Sequence, residues 1–509
     1  MRRNRANRNS TSIIFDFCVR SKAGWFGPAF RPASLIEGDR SYAELENRNG
    51  GQSMNRRSAL TVFFLITLCA LSVLSGCERF GTSGQAERQT AEPDREVTIK
   101  MWIMDNSPKP YEDLMHVMKP FLAKNNHIRL DVKVIDWSIA WTEIIKAISS
   151  GDGPDIVQLG TTWTPAVALM GGILDLSDRV HELGGADAYW ASSWMTTKNL
   201  TGNTESVYAV PWFVDVRAVY YRTDAFKKAN IDPDRAFDNW ETFLEALRKV
   251  NGVQIDGKTL SALAIPGRKD WNVAHNLFPW IWAAGGDVLS DDYKTAAFNS
   301  EAALDGIMFY TSLYRSGFVI PESLERNSSV IENDFIEGNT AVIITGPWLV
   351  PRIENPPETD ADKVSLAGRY SVAPMPAGPK GKATFVGGSN LAIFRNSSHK
   401  EESWEIIKYL SGEEAQRRFA QLSGFMPARK SVTQMPPFSN DAVMKAFVES
   451  LPFGRTYPSI PQWGAIETTI VDYFGTIWDL VGSNVAFDRG TIRTILDQAA
   501  SEVDHLLQN

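Results

Sequence analysis

From Glu96 onward the chain alternates strand-like and helix-like segments, and nothing else in the sequence limits the fold as strongly. Val97, Ile99, Met101 and Ile103 alternate with Thr98, Lys100 and Trp102, the period of a half-buried strand. A loop over 104–110 leads to a predicted helix over 111–124. Ile128, Leu130, Val132 and Val134 alternate again and predict a second strand over 128–135. A helix over 141–149 ends at Gly151-Asp152-Gly153-Pro154, and 155–159 reads as a short buried strand. Strand–helix–strand–helix–strand predicts an α/β sheet with parallel strands.

The rest of the chain continues in the same class. Residues 206–210 and 216–221 are strand-like and separated by Pro211-Trp212-Phe213. Trp240, Phe243, Leu244 and Leu247 fall at helical spacings and predict a helix over 239–250. A strand over 340–344 closes at Gly346-Pro347-Trp348. Strands over 370–373 and 391–394 flank a turn rich in Gly, Pro and Lys at 376–382. Helices follow over 401–410 and 413–420, and the sequence is mainly helical from 441. No internal repeat is present. The length beyond residue 76 suffices for two globular domains of about 150 residues or more each.

The first 76 residues read differently. Met54-Asn55-Arg56-Arg57 precedes a mostly apolar segment over 59–74, which ends in Leu74-Ser75-Gly76-Cys77. A positive start, an apolar stretch and small residues form a secretory signal. The stretch is shorter than the roughly 20 residues that span a bilayer. With the cysteine, the arrangement resembles a bacterial lipoprotein signal. That resemblance implies cleavage before Cys77 and lipidation of its thiol. Residues 1–53 then read as an over-long gene start outside the native protein, 54–76 as the signal and 77–95 as a polar, flexible tether.

Composition narrows the function. The three cysteines are Cys18, Cys69 and Cys77, so 78–509 holds no disulfide, thiolate metal site or cysteine nucleophile. The six histidines lack metal-site spacing, and no cofactor is expected. Of the formal charge of −8, residues 1–53 contribute +4 and 54–76 contribute +2, which leaves −14 on 77–509. An acidic body of this kind repels nucleic acid and anionic lipid. There is no Gly-x-Ser-x-Gly elbow and no phosphate loop ending in Gly-Lys-Ser/Thr. Gly151-Asp152-Gly153 lacks the third glycine of a dinucleotide fingerprint and reads as a turn. Paired carboxylates suited to glycoside hydrolysis are inevitable among 60 acidic residues and single out no site.

Tryptophan is the unusual quantity, with fifteen of the sixteen beyond residue 76. Trp102, Trp163, Trp212 and Trp348 lie at or just after the ends of predicted strands. Indole faces stack on the apolar faces of sugar rings, while nearby Asp, Arg and Asn take the hydroxyls. In open α/β sheets, ligands bind beyond the carboxyl ends of the strands. Core packing is the competing role, and the stronger one for Trp240 and Trp404 inside amphipathic helices.

Several segments together resemble the extracellular solute-binding proteins of family 1, the sugar-binding subunits of bacterial ABC importers, in the broad class of maltose-binding protein. They are Gly153-Pro154-Asp155-Ile156-Val157, Tyr208-Ala209-Val210-Pro211-Trp212 with Asp215, Arg217 and Tyr220-Tyr221-Arg222, Gly346-Pro347-Trp348, Gly387-Gly388 before Leu391-Ala392-Ile393, and Gly424 to Arg429. The resemblance implies a two-lobed α/β fold of the type II periplasmic-binding-protein kind. Each lobe has a mixed α/β sheet, and hinge strands join the two. Residues 96–210 with 372–425 would form lobe 1, and 211–371 with 426–509 lobe 2.

It also implies a ligand cleft. Met104, Asp105 and Asn106 would line one wall with Thr161, Thr162 and Trp163. Asp215 and Arg217 would lie near the hinge, Trp348 would stack from lobe 2, and Gly388, Ser389 and Asn390 would approach closely. Trp280, Trp282 and Trp463 are further candidates. Thr162 stands where the family's maltose binders carry an acid, a departure from a maltose-like ligand. The implied partners are a carbohydrate, a membrane permease and, through the anchor, the membrane; the protein would be monomeric, bind no nucleic acid and work outside the cytoplasm. An extracytoplasmic glycosidase and a binder of a non-sugar solute are the competing readings.

Overall fold

The computed structural model describes residues 96–200, 206–267, 270, 272–356, 366–483 and 487–508. The apolar run, Cys77 and the tether lie outside the described residues. β1 (Val97–Met104) and β2 (Ile128–Ile135) pair in parallel from Val97↔Ile128 to Met104↔Ile135. The helix α1 (Pro110–Lys124) crosses between them, and α2 (Trp137–Ser150) leads on to β3 (Ile156–Gly160), parallel to β1 on its other side. The predicted parallel unit is therefore present. Helix α2 starts four residues earlier than the apolar pattern predicts, because the Asp136 carboxylate accepts from the Ser138 backbone N–H at 2.8 Å.

β4 (Val210–Val216) runs through Pro211-Trp212-Phe213, where the sequence predicted a break. Proline is tolerated because the register with a later strand shifts there, leaving an irregularity opposite Pro211. The chain then crosses at Arg217 into a second sheet, made by β5 (Ala218–Arg222), β8 (Ser261–Ala264), β9 (Thr340–Thr345) and β10 (Tyr370–Ala373) in the order β10-β5-β9-β8. A small hairpin, β6 (Gln254–Ile255) and β7 (Lys258–Thr259), stands apart. Helices α3 (Trp240–Val250), α4 (Val273–Ala284), α5 (Glu301–Arg315), α6 (Ser328–Ile336) and α7 (Leu349–Glu354) belong to this stretch.

β11 (Thr384–Ile393) returns to the first sheet between β3 and β4, antiparallel to both. Helices α8 (Lys400–Leu410) and α9 (Glu413–Ser423) follow, then the edge strand β12 (Met426–Pro427). Helix α10 (Ala442–Ser450), β13 (Gly454–Arg455), α11 (Trp463–Val481) and α12 (Arg489–Gln508) complete the chain. By strand pairing, Pro211–Val216 and Met426–Pro427 belong to the first sheet, while Val372 and Ala373 belong to the second. The crossings thus fall at Arg217, between β10 and β11, and after β12 rather than at 210, 372 and 425.

The two sheets pack on two large cores, one lying on the second sheet and one shared by both sheets. Period-two alternation along β5 sends Val219 and Tyr221 into one core with α3, α4, α5, α11 and α12. It sends Tyr220 to the other side, into a core that also holds Trp212, Phe213 and the buried faces of α1, α8 and α9. A smaller cluster covers the far face of the first sheet beneath α2.

Candidate functional site

The site is built where β4 passes into β5. Asp215 lies opposite Gly387 in the β4–β11 ladder, and the Arg217 N–H donates to the Phe385 carbonyl at 3.1 Å. Both side chains are thereby fixed by backbone pairing at the crossing. Arg217 is only 2% exposed. Its guanidinium donates to Asp215 Oδ2 at 3.2 Å and to Asn272 Oδ1 at 3.0 Å. The other Asp215 oxygen, Oδ1, is buried and has no partner among the described residues. Burial raises the Asp215 carboxyl above its ordinary range, against the pull of Arg217.

Trp348 joins this pair from the second lobe. The Arg217 guanidinium carbon sits 4.6 Å from the centre of its ring, within cation–π range. The indole lies against Gly346, where an added Cβ would come 1.7 Å from the ring, so only glycine fits. The Trp348 Nε1–H donates to Glu332 Oε1 at 2.9 Å. Glu332 is 4% exposed and also accepts from Thr345 Oγ1 at 2.7 Å and Arg352 Nη1 at 2.6 Å. Trp348 is half-buried and held at three points: its N–H, the Gly346 turn and the Arg217 contact.

The first-lobe wall is held by Gln158, in the middle of β3. Its Oε1 accepts from the Met104 N–H at 2.9 Å and Asn106 Nδ2 at 2.8 Å, and its Nε2 donates to Asn106 Oδ1 at 3.0 Å and Ser389 Oγ at 2.8 Å. Asn106 and Ser389 are buried in this network rather than presented to a ligand. Asn390 is fully buried and donates to Thr164 and Thr196 inside the lobe. Gly388, at φ +123°, abuts β4: a Cβ there would lie 2.2 Å from the Phe213 carbonyl oxygen, and its own carbonyl accepts from the Thr161 N–H at 3.2 Å. Its freedom serves the sheet.

Thr162 and Trp163 are partly exposed on the loop after β3, with Thr161 buried beneath them. Trp163 packs at 5.6 Å against both Trp137 and Trp141 of α2. Asp105 follows β1, and its acid is raised first by partial desolvation, with the Asp136 carboxylate adding to it.

The remaining candidates lie in the second-lobe core. Trp280 is buried among Trp240, Phe243 and Tyr310. Trp282 packs on Phe278 and Tyr457. Trp463 stacks on Tyr457 at 4.3 Å and donates to Glu467 Oε2 at 3.2 Å. Tyr457 continues to Phe385 at 5.0 Å and to His275 Nδ1 at 2.7 Å, so an aromatic row links Trp463 to the crossing. Asp215, Arg217 and Trp348 are therefore brought together, while Trp280, Trp282, Trp463, Ser389 and Asn390 support from inside. Sequence reasoning missed Gln158, Glu332, Asn272, Phe385, Trp137 and Trp141. A glutamine within an apolar five-residue strand, and a glutamate within a helix two residues after its N-terminal Ser-Ser-Val, were the available signals.

Comparison with known proteins agrees with this architecture. A family model described as bacterial extracellular solute-binding protein matches residues 116–446. A putative binding protein of Brucella abortus is 26% identical over 412 residues, 81% of this chain and 93% of that protein. The diacetylchitobiose binding protein DasA of Streptomyces coelicolor is 25% identical over 73% of this chain and 82% of its own length. The sugar-binding protein MalE of Xanthomonas citri superposes with a TM-score of 0.68 at 26% identity, over 81% of this chain and 98% of that one. An ABC transporter solute-binding protein of Thermotoga lettingae, solved with alpha-D-tagatose, gives 0.67 at 26% identity over 81% and 99%. With two lobes, a polar crossing between them and a family model matched over most of its length, the chain belongs to the bacterial extracellular solute-binding protein family.

Proposed function

We propose that the chain binds a carbohydrate between its lobes and delivers it to the permease of an ABC importer. The observation that carries this reading is Asp215 Oδ1, a buried carboxylate oxygen with no partner among the described residues, beside Arg217 and Trp348. Buried acceptors are seldom left unpaired. A sugar hydroxyl would donate to Oδ1 while an apolar ring face rests on the free part of the indole. The diacetylchitobiose named for the Streptomyces protein and the sugar binding named for the Xanthomonas one support the same ligand class.

Transport follows from differential binding. A sugar that touches both lobes binds the closed arrangement more tightly than the open one and shifts the population toward closure. The closed form docks on the permease, whose ATPase supplies the energy, and no bond is made or broken in this subunit. The family is extracellular, and the chain works outside the cytoplasm. A lipid on Cys77, with the tether over 78–95, would hold a monomer beside the membrane.

The test is titration of the purified protein with a panel of mono- and oligosaccharides, read by tryptophan fluorescence and calorimetry. One sugar should bind saturably without turnover, and Trp348→Ala should weaken it about tenfold or more, which is roughly 1.4 kcal/mol. Unchanged affinity in that variant sinks the site. Product formation would favour a glycosidase, and saturable binding of glycerol phosphate alone would overturn the sugar class. For the anchor, cells fed labelled palmitate should label the wild-type chain and leave Cys77→Ser unlabelled; equal labelling refutes it.

A further inference from the structure

Glu467 lies one helical turn beyond Trp463 on α11, so the two side chains share the face that meets Tyr457. Its Oε2 accepts the Trp463 indole N–H at 3.2 Å, and the residue is only partly exposed. It forms no ion pair among the described residues. A carboxylate withdrawn from water ordinarily has a cation beside it. Here desolvation dominates and holds the acid up at about 7.

The neighbouring groups do not supply the missing charge. Burial raises the Tyr457 phenol first; Glu467 adds to the rise, Arg217 opposes it and Asp215 adds again. Two acids and one cation therefore act on a single ring. That cation is committed, because Arg217 already donates to Asp215 and Asn272. His275 meets the Tyr457 hydroxyl through Nδ1 at 2.7 Å. Burial, helped by Arg217, holds its imidazole well below the ordinary value, so it is uncharged at neutral pH. Glu332, which also raises the Asp215 acid, is matched by Arg352. Two carboxylates against one guanidinium leave one negative charge uncompensated.

The Asp215 site and Glu467 belong to one continuous wall. A Cβ on Gly387 would meet the Phe385 ring at 2.9 Å and Asp215 Oδ2 at 3.7 Å. Phe385 lies 5.0 Å from Tyr457, and Tyr457 lies 4.3 Å from Trp463. Acceptors are unmet along it as well. Asp215 Oδ1 has no partner among the described residues, and neither has Oδ1 of Asn276, which is 3% exposed and one turn along α4 from Asn272. Hydroxyls of a neutral sugar would serve such acceptors and leave the excess charge standing. An ammonium group brings three donors and the positive charge together.

We infer that the ligand is an amino sugar with a free, protonated amine, and that Glu467 is the counter-ion that selects it. The inference rests on the carbohydrate reading of the Asp215 site. It carries a proton signature. At pH 6 Glu467 is mostly protonated, and an ammonium beside it favours the ionised form, so binding releases a proton.

The experiment titrates the full chain by calorimetry at pH 7 with glucosamine, N-acetylglucosamine and glucose, and with chitobiose bearing free amines beside diacetylchitobiose. Wild type should bind one free-amine sugar at least tenfold more tightly than its acetylated counterpart. At pH 6, in two buffers of different ionisation enthalpy, that binding should release about one proton. Glu467→Gln should bring the two forms within about twofold of one another and abolish the release. Unfolding midpoints within a few degrees establish that the variant folds, and the proton count on wild type needs no variant. Equal or tighter binding of the acetylated or hydroxyl sugars by wild type overturns the amine selectivity and leaves the carbohydrate reading intact. A preference that survives in Glu467→Gln, or binding without proton release, overturns Glu467 as the counter-ion. Wild type binding no sugar of either kind overturns both readings.

Discussion

Glu332 shows how much one side chain governs this site. It is almost fully buried and serves the Trp348 indole, the Thr345 hydroxyl and the Arg352 guanidinium at once. Removing one member of such a set leaves its partners unsatisfied, which costs more than the bonds themselves contribute. Glu332→Ala should therefore destabilise the protein by about 2–4 kcal/mol in urea unfolding. Glu332→Gln keeps an acceptor for the indole and loses the charge, so it should cost less, about 1–2 kcal/mol. Because the indole then loses its anchor, Glu332→Ala should also weaken sugar binding even where the fold survives, and Glu332→Gln should largely restore it. Equal affinity in wild type and Glu332→Ala would show that Gly346 and Arg217 hold Trp348 unaided.

At the scale of elements, the sequence was most readable where one period ran undisturbed. β1, α1 and β2 carry an alternation or a helical stripe from end to end, and each was bounded to within a residue or two. β4 and β11 were misread for a shared reason. Pro211 and Gly387-Gly388 are strong local signals for a turn, yet tertiary pairing absorbs both. Pro211 lies at the register shift of the β4–β11 ladder, and Gly388 is where β11 passes too near the Phe213 backbone for any Cβ. Those contacts join residues more than 170 positions apart, beyond any local pattern. The site shows the same limit. Asp215, Arg217 and Trp348 were singled out through the family resemblance, and the fold brings the three side chains together. Whether a tryptophan turns inward, as Trp280 and Trp463 do, or outward, as Trp137 and Trp141 do, depends on neighbours brought in by the fold.

At the scale of the molecule, the two lobes meet through an aromatic row that ends in a single acid. Phe385, on a first-sheet strand, stacks on His275 and Tyr457, and Tyr457 stacks on Trp463 of α11. Beyond Trp463, Glu467 accepts the indole N–H at 3.2 Å and forms no ion pair among the described residues. Burial raises its acid to about 7, with the Trp463 N–H opposing. The sign of the effect follows from proton counting. Between about pH 4.5 and 7 the unfolded chain has released this proton and the folded chain still holds it, so stability falls as pH rises. The contribution is fully present below about 4.5 and lost above about 7; its size is on the order of 3 kcal/mol. Glu467→Gln keeps the shape and the acceptor without the titration. The wild-type unfolding midpoint should therefore drop relative to the variant across that window, and the variant should be the more stable protein at pH 8. Parallel midpoint curves for the two proteins would mean that water reaches Glu467 and that the seam between the lobes is wetter than its packing implies.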